Sequence, residues 1–302
     1  MTENEFLLQD RLGVIKDTIN KYGEENFYLS FSGGKDSTVV HHLLDMALPN
    51  NRIPRVFSNT GIEYNAIVEF VREREREDDR FVTIYQKQNI KQMLERVGYP
   101  FKNKEHSKKV DQFQRNQVIT DYLKEYIYGI GRKEGSQTKY ICPDLLKYQF
   151  TNECTLKISH KCCNELKKRP MHEYEKETGR YILITGMMQE EGGARDHIQC
   201  IHYRGGKPNR FHPLAKVTHE WEDWFVQEYG IKLCKLYYEP FNLYRTGCKG
   251  CPYAINLQSE LETMSIYLPN ERKQCEYIWK PVYDEYRRIG YRLSNEEQTK
   301  LF

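Results

Sequence analysis

Five residues that read as a buried strand, Phe27-Tyr28-Leu29-Ser30-Phe31, run directly into Ser32-Gly33-Gly34-Lys35-Asp36-Ser37 and then into a helical pattern over 36–48. This junction limits the fold more than any other stretch. Two adjacent glycines let the backbone turn tightly and approach an anion without a Cβ in the way. The helix that follows opens with unpaired N–H groups and the positive end of its dipole. Ser32 and Ser37 add hydroxyl donors, and Lys35 adds a point charge. The alternation then continues with a strand over 55–58, a helix over 65–76 and a strand at Phe81-Val82-Thr83-Ile84-Tyr85. Strand-helix-strand-helix-strand predicts an α/β fold: a parallel sheet with right-handed crossovers and flanking helices.

The rest of the chain reads around that frame. A helix over 3–21 stops at Gly23. Helices are expected over 90–97, 110–127 and 221–229, with strands at Tyr181-Ile182-Leu183-Ile184-Thr185-Gly186 and over 233–237. The stretch 253–302 is mostly helical in pattern, which gives a domain over 1–255 and a helical extension over 256–302. A chain of 302 residues with 39% hydrophobic and 29% charged residues can bury an ordinary core. Its formal net charge of +3 creates no overall field that would demand nucleic acid or a membrane surface. Residues 1–10 are polar and acidic, and no stretch approaches the roughly 20 apolar residues of a membrane span, so a cytoplasmic location without a membrane partner is expected. In that reducing compartment the nine cysteines are ligands, catalysts or core residues rather than a disulfide framework.

The loop is not a Walker A sequence, and the turn holds no Gly-x-Gly-x-x-Gly. It resembles the Ser-Gly-Gly-x-Asp-Ser signature of the PP-loop (ATP pyrophosphatase) superfamily. Members cradle a pyrophosphate or sulfate group there, and many split ATP between the α- and β-phosphates. More of the chain is similar to one branch, the phosphoadenosine phosphosulfate reductase family. Asn59-Thr60-Gly61-Ile62-Glu63 resembles that family's Asp-Thr-Gly-x-Glu, with Asn59 in place of Asp. Ile184-Thr185-Gly186-Met187 resembles its strand leading to Gly-x-Arg, and Phe211-His212-Pro213-Leu214 with Trp221 its Pro-[Leu/Ile]-x-x-Trp region, at a longer spacing. The resemblance implies an adenine-nucleotide site made by Ser30, Ser32, Gly33, Gly34, Lys35, Asp36, Ser37, Asn59, Thr60, Gly61, Glu63 and Gly186. Lys35, Asp36 and Arg195 are the expected catalytic residues, with Arg195 as a phosphate or sulfate clamp and Mg²⁺ accompanying the departing pyrophosphate.

Cysteine spacing sharpens the comparison. Cys162-Cys163 are tandem, and Cys248-Lys249-Gly250-Cys251 follows after 84 residues. This is similar to the [4Fe–4S] pattern of cluster-bearing adenylylsulfate reductases, and four thiolates can hold such a cluster. Zn²⁺ in a four-cysteine tetrahedron and plain buried thiols stay open as alternatives. Lys167, Lys168 and Lys249 are placed in sequence to offset cluster charge and lower the thiol pKa values.

Two departures redirect the function. The reductases' Glu-Cys-Gly-x-His motif does not occur, and Cys275 sits in an ordinary helical pattern. After Gly186 only Arg195 remains of the arginine segment, while Glu190 and Glu191 suggest either a divalent-ion site or two solvated carboxylates. An ATP-dependent sulfur-transfer enzyme that releases AMP and pyrophosphate is therefore expected. The alternatives are a sulfonucleotide reductase using a thiol from elsewhere, such as a thioredoxin-like reductant, and a nucleotide-binding regulatory protein without turnover. Lys102, Lys104, His106, Lys108, Lys109 and Arg115 beside Phe101 and Phe113, then Arg132, Lys133 and Lys139 beside Tyr126, Tyr128 and Tyr140, read either as a nucleic-acid face or as a solvated helix over core aromatics. The sulfur acceptor is thus a nucleic acid or a small molecule, and a homo-oligomer is expected.

Overall fold

The structure is a computed structural model that describes residues 1–130, 141–243 and 245–294. The helices are α1 (Glu3–Tyr22), α2 (Lys35–Ala47), α3 (Asn65–Glu77), α4 (Ile90–Val97), α5 (Lys104–Asn116), α6 (Asp121–Tyr128), α7 (Arg169–Thr178), α8 (His219–Glu228), α9 (Leu257–Tyr267) and α10 (Pro269–Ile289). The strands are β1 (Phe27–Ser30), β2 (Arg55–Asn59), β3 (Phe81–Tyr85), β4 (Ile182–Ile184), β5 (Ile201–Arg204) and β6 (Lys207–Phe211). The chain divides into two units, each assembled from two segments: residues 1–86 with 167–247, and residues 87–166 with 248–302.

The first unit carries the sheet, in the order β3-β2-β1-β4-β6-β5. All neighbours pair in parallel except the β5–β6 hairpin at the edge. The parallel sheet expected from the strand–helix alternation is therefore present, with an antiparallel edge that the alternation does not announce. Successive strand residues face opposite sides. On one face Tyr28 and Val56 pack with Met171 and Tyr174 of α7, while Val82, Ile84 and Leu183 cover the margin. The Tyr28 hydroxyl donates to Glu175 at 2.6 Å. The decisive topological point is at β1: the chain winds from β1 to β2 and β3 on one side, then returns through β4 on the other. Open α/β sheets bind ligands at the carboxyl ends of strands where the winding reverses. The glycine loop leaves β1 at that place.

The second unit is helical. The single helix expected over 110–127 is two helices, because Gln117 adopts a left-handed conformation (φ 53°) that ends α5. Thr120 then caps α6 by accepting from Leu123 N–H. Phe101, Phe113, Tyr126, Phe150 and Tyr286 are buried core residues. The strand expected over 233–237, in the first unit, is instead a short 3-10 turn, Lys235–Tyr237. No helix among the described residues is long and apolar enough to cross a membrane.

Candidate functional site

Ser32 follows β1, Gly33 turns with φ 70°, and Gly34 is the N-cap of α2. A Cβ on Gly33 would sit 3.0 Å from Ile67 Cγ2, so the left-handed turn and the packing against α3 both favour glycine. The two serines brace the loop. Ser32 N–H donates to Ser37 Oγ at 3.1 Å, the two hydroxyls lie 3.1 Å apart, and Ser37 Oγ–H donates to the Gly34 carbonyl at 3.0 Å. Lys35, Asp36 and Ser37 are the first three helical residues, whose N–H groups have no carbonyl within the helix. Gly186, just past β4, closes the other side: a Cβ there would meet Asp36 Cβ at 2.7 Å and its backbone at 2.9 Å. A turn at the end of β2 completes the rim. Glu63 accepts from Thr60 N–H (2.9 Å) and the Thr60 hydroxyl (2.7 Å), and Gly61 N–H donates to Asn59 Oδ1 at 2.9 Å.

A cavity of about 70 Å³ opens beside this loop, lined by the polar Ser30, Ser32, Ser58, Glu63, Lys167 and Thr246 and by the apolar Phe31, Phe57, Ile67 and Met171. It is the size of one oxyanion rather than a whole nucleotide, whose sites begin near about 300 Å³. Of the residues read from sequence, Ser30, Ser32 and Glu63 line this cavity, while Gly33, Gly34, Lys35, Asp36, Ser37, Asn59, Thr60, Gly61, Gly186 and Arg195 are not among its lining residues.

Lys35 does not point freely outward. Its ammonium lies 2.7 Å from Asp223 Oδ1 and 3.2 Å from Glu222 Oε2, both on α8. Glu222 is fully buried, with Lys35 and the exposed Asp223 beside it. Burial first, and then the nearby Asp36 carboxylate, push Glu222 up to about 8 while Lys35 pulls it back. Arg195, the expected clamp, forms an ion pair with Glu191, which also lies 3.3 Å from Arg245. Glu190 accepts from the His219 amide. The divalent-ion reading of Glu190 and Glu191 gains no support: among the described residues no three His, Cys, Asp or Glu side chains are arranged to hold a metal ion.

Sequence reasoning missed four polar groups at the loop: Glu222, Asp223, Tyr237 and Thr246. They reach it from roughly 190 to 210 residues downstream, and no local pattern marks them.

All four cysteines of the sequence motif fall in the second unit. Cys162 and Cys163 sulfurs are 4.0 Å apart, and the Cys162 thiol is raised by that contact, by burial and by the charges of Cys251 and Cys248. Lys249 is buried with its ammonium 3.1 Å from Glu271. The Cys248–Cys251 turn is held by backbone acceptors: Trp279 Nε1–H donates to the Lys249 carbonyl at 3.2 Å, Tyr283 to that of Gly250, and Tyr286 to that of Pro252 at 2.8 Å. Gly250 has φ 57°, and a Cβ there would lie 2.5 Å from the Tyr283 hydroxyl and 2.9 Å from Cys275 Sγ. Cys275 is buried in α10 and its thiol is pushed up to about 12, so it supplies no thiolate near neutral pH.

Within the basic stretch Lys104, Lys108 and Arg115 are exposed, while His106 and Lys109 are buried. His106 is buried between the Tyr126 hydroxyl (2.9 Å) and Gln149 (2.6 Å), and Lys109 pairs with Glu105 at 2.9 Å under the Tyr122 ring. Arg132, Lys133, Lys139 and Tyr140 lie outside the described residues.

The sequence profile of the phosphoadenosine phosphosulfate reductase domain matches residues 26–139 and 143–290, most of the chain. The chain belongs to the phosphoadenosine phosphosulfate reductase family. The chain is also 29% identical over 94 residues to an adenosine 5′-phosphosulfate reductase of Deinococcus radiodurans, covering 31% of this chain and 36% of that protein. It is 27% identical over 124 residues to an uncharacterized protein of Methanocaldococcus jannaschii, covering 40% and 29%. It therefore spans about a third of the length of these curated relatives. Among solved structures, a phosphoadenylyl-sulfate reductase from Candida auris in a phosphate complex aligns with TM-score 0.40 at 12% identity, over 76% of this chain and 90% of that one. A likeness of that degree decides nothing about chemistry. In this family member, the profile covers both the phosphate loop and the four cysteines.

Proposed function

We propose that this family member is an adenine-nucleotide enzyme that cleaves ATP to AMP and pyrophosphate and thereby activates an acceptor for sulfur transfer. The observation that supports the reading is the loop between β1 and α2, where the hydroxyls of Ser32 and Ser37 and the N-terminal turn of α2 stand beside an oxyanion-sized cavity that Ser30, Ser32 and Thr246 line. The acceptor oxygen attacks the α-phosphorus, and the bond from that phosphorus to the bridging oxygen breaks. The leaving pyrophosphate is stabilised by the loop amides and by Lys35, which exchanges Glu222 and Asp223 for phosphate oxygens. Mg²⁺ arriving with ATP neutralises part of the same charge. A nucleophilic sulfur then displaces AMP from the activated carbon.

Cys162, Cys163, Cys248 and Cys251 are the residues that would hold a [4Fe–4S] cluster, which supplies iron able to bind sulfide. A single zinc ion draws four sulfurs to about 2.3 Å from one point. Among the described residues no three His, Cys, Asp or Glu side chains are arranged to hold a metal ion, which bears on zinc and on a cluster alike. The high-pKa, buried Cys275 favours transfer over a reduction that starts from this chain's own thiolate. The stretch shared with the Deinococcus reductase favours the second reading, sulfonucleotide reduction by a thiol from another protein.

Anaerobic purification with iron and sulfide analysis, followed by incubation with ATP or adenylyl sulfate, separates these readings. The proposal expects about four irons and four sulfides per chain, as the cluster composition requires, and AMP with pyrophosphate once an acceptor is supplied. Sulfite release dependent on an added thiol would move the assignment to the reductase reading. Bound zinc without iron would remove the cluster.

A further inference from the structure

One hydrogen-bond chain at the loop is not used by the function just proposed. Lys35 N–H, the first amide of α2, donates to the Tyr237 hydroxyl at 2.9 Å. The Tyr237 oxygen lies 2.9 Å from Thr246 Oγ1. Thr246 in turn lines the oxyanion-sized cavity. Both hydroxyls, together with that of Ser32, crowd around Gly34: the point a Cβ would occupy is 3.1 Å from Ser32 Oγ, 3.1 Å from Thr246 Oγ1 and 3.2 Å from Tyr237 Oη. An alanine at 34 would force that cage apart, so the second glycine serves the hydroxyls as well as the turn.

The direction of the protons follows from elementary acidity. A phenol is a stronger donor than an aliphatic alcohol, and an alcohol oxygen is the better acceptor. Tyr237 stays protonated, its acidity suppressed by burial. Its oxygen already receives the amide at the positive end of α2, which polarises its own O–H further. Tyr237 therefore donates to Thr246, and the Thr246 hydrogen is left to point at whatever occupies the cavity.

We propose that Thr246 is an oxyanion-contacting residue of the phosphate loop and that Tyr237 is its positioning residue, the pair relaying the donor strength of the Lys35 amide into the cavity. The expected ligand group is a phosphoryl or sulfuryl oxygen of the nucleotide. The inference rests on the loop being a nucleotide-phosphate site. It adds two residues, 200 and 209 positions beyond the last residue of the motif, to the groups that hold that phosphate.

The test is calorimetric titration of pyrophosphate and of ATP into the full chain and into Thr246→Val, Thr246→Ser, Tyr237→Phe and Tyr237→Phe/Thr246→Val, with urea midpoints measured in parallel. Thr246→Val should weaken pyrophosphate about tenfold or more, the worth of a hydrogen bond to a charged group. Thr246→Ser should restore binding to within about threefold, because the hydroxyl returns without the methyl. Tyr237→Phe should weaken binding too, and the double variant should be no weaker than Thr246→Val by more than about twofold, since both changes cut one chain. Unchanged binding in Thr246→Val, failure of Thr246→Ser to rescue, or fully additive losses would each overturn the relay while leaving the loop assignment intact. Absence of pyrophosphate and ATP binding to the unsubstituted chain would instead remove the loop assignment itself, and the relay with it.

Discussion

Glu222→Gln is expected to leave stability near pH 5 unchanged and to make the protein more stable than the parent at pH 8.5. Glu222 is fully buried behind the phosphate loop, and its carboxyl is pushed up to about 8. An unfolded glutamate titrates near 4.5. Below that value both states hold the proton and the group is neutral to the balance. Between the two values the folded chain keeps a proton that the unfolded chain has released, so folding stability falls as pH rises, and it levels off above the folded value. The window is three to four pH units wide, and the accumulated loss is on the order of 4 kcal/mol. Glutamine has nearly the same shape as the protonated acid and does not titrate, so the variant escapes the loss. Urea midpoints at pH 5, 6.5 and 8.5 report the difference. Parallel curves for the two proteins would mean that Glu222 is ionised in the folded state throughout, held so by Lys35 at 3.2 Å.

The second large effect comes from one methyl group. Gly186→Ala places a Cβ 2.7 Å from Asp36 Cβ and 2.9 Å from the Asp36 carbonyl carbon and oxygen. Those atoms are backbone of the first turn of α2, so the contact cannot be relieved by rotating a flexible side chain. Either the end of β4 or the phosphate loop must move. Overpacking of this kind costs about 1–3 kcal/mol of stability. The functional loss should be larger in proportion, since the displaced atoms carry the amides aimed at the oxyanion, and a misplacement of about 1 Å can cost about 100-fold. We expect a folded variant with a modestly lower urea midpoint and at least about a tenfold loss of ATP affinity. A variant that binds ATP like the parent would show that Gly186 is a packing glycine with no hold on the loop.

Much of this was legible in the sequence, and the reasons differ from element to element. The β1–α2 junction could be read because its signals are local: an apolar run, two glycines, two serines and a helical pattern within about twenty residues. β3 and α4 follow the sequence pattern residue for residue, each bounded by polar or turn-forming positions. The helix over 110–127 could not be divided by periodicity, since the break is one left-handed residue, Gln117, of a type that usually continues a helix. The stretch 233–237, Leu233-Cys234-Lys235-Leu236-Tyr237, reads as a short strand, but the Tyr237 hydroxyl is committed to the loop and no strand of the sheet pairs with that segment. Glu222 looked like any acidic residue of an amphipathic helix. Its meaning is its burial against Lys35, a contact across 187 positions that no local pattern encodes. The cysteine spacing was readable as a motif, whereas the hold of Trp279, Tyr283 and Tyr286 on the Cys248–Cys251 turn depends on α10 folding back onto it.

The central claim is that the glycine loop grips a nucleotide phosphate, with Lys35 leaving its carboxylate partners to do so. Calorimetric titration of ATP into the parent chain and into Lys35→Ala tests it most directly. The account predicts measurable binding by the parent and at least about a tenfold loss on removing the ammonium, consistent with a charge-assisted contact to phosphate. Equal affinity in the two proteins would contradict it.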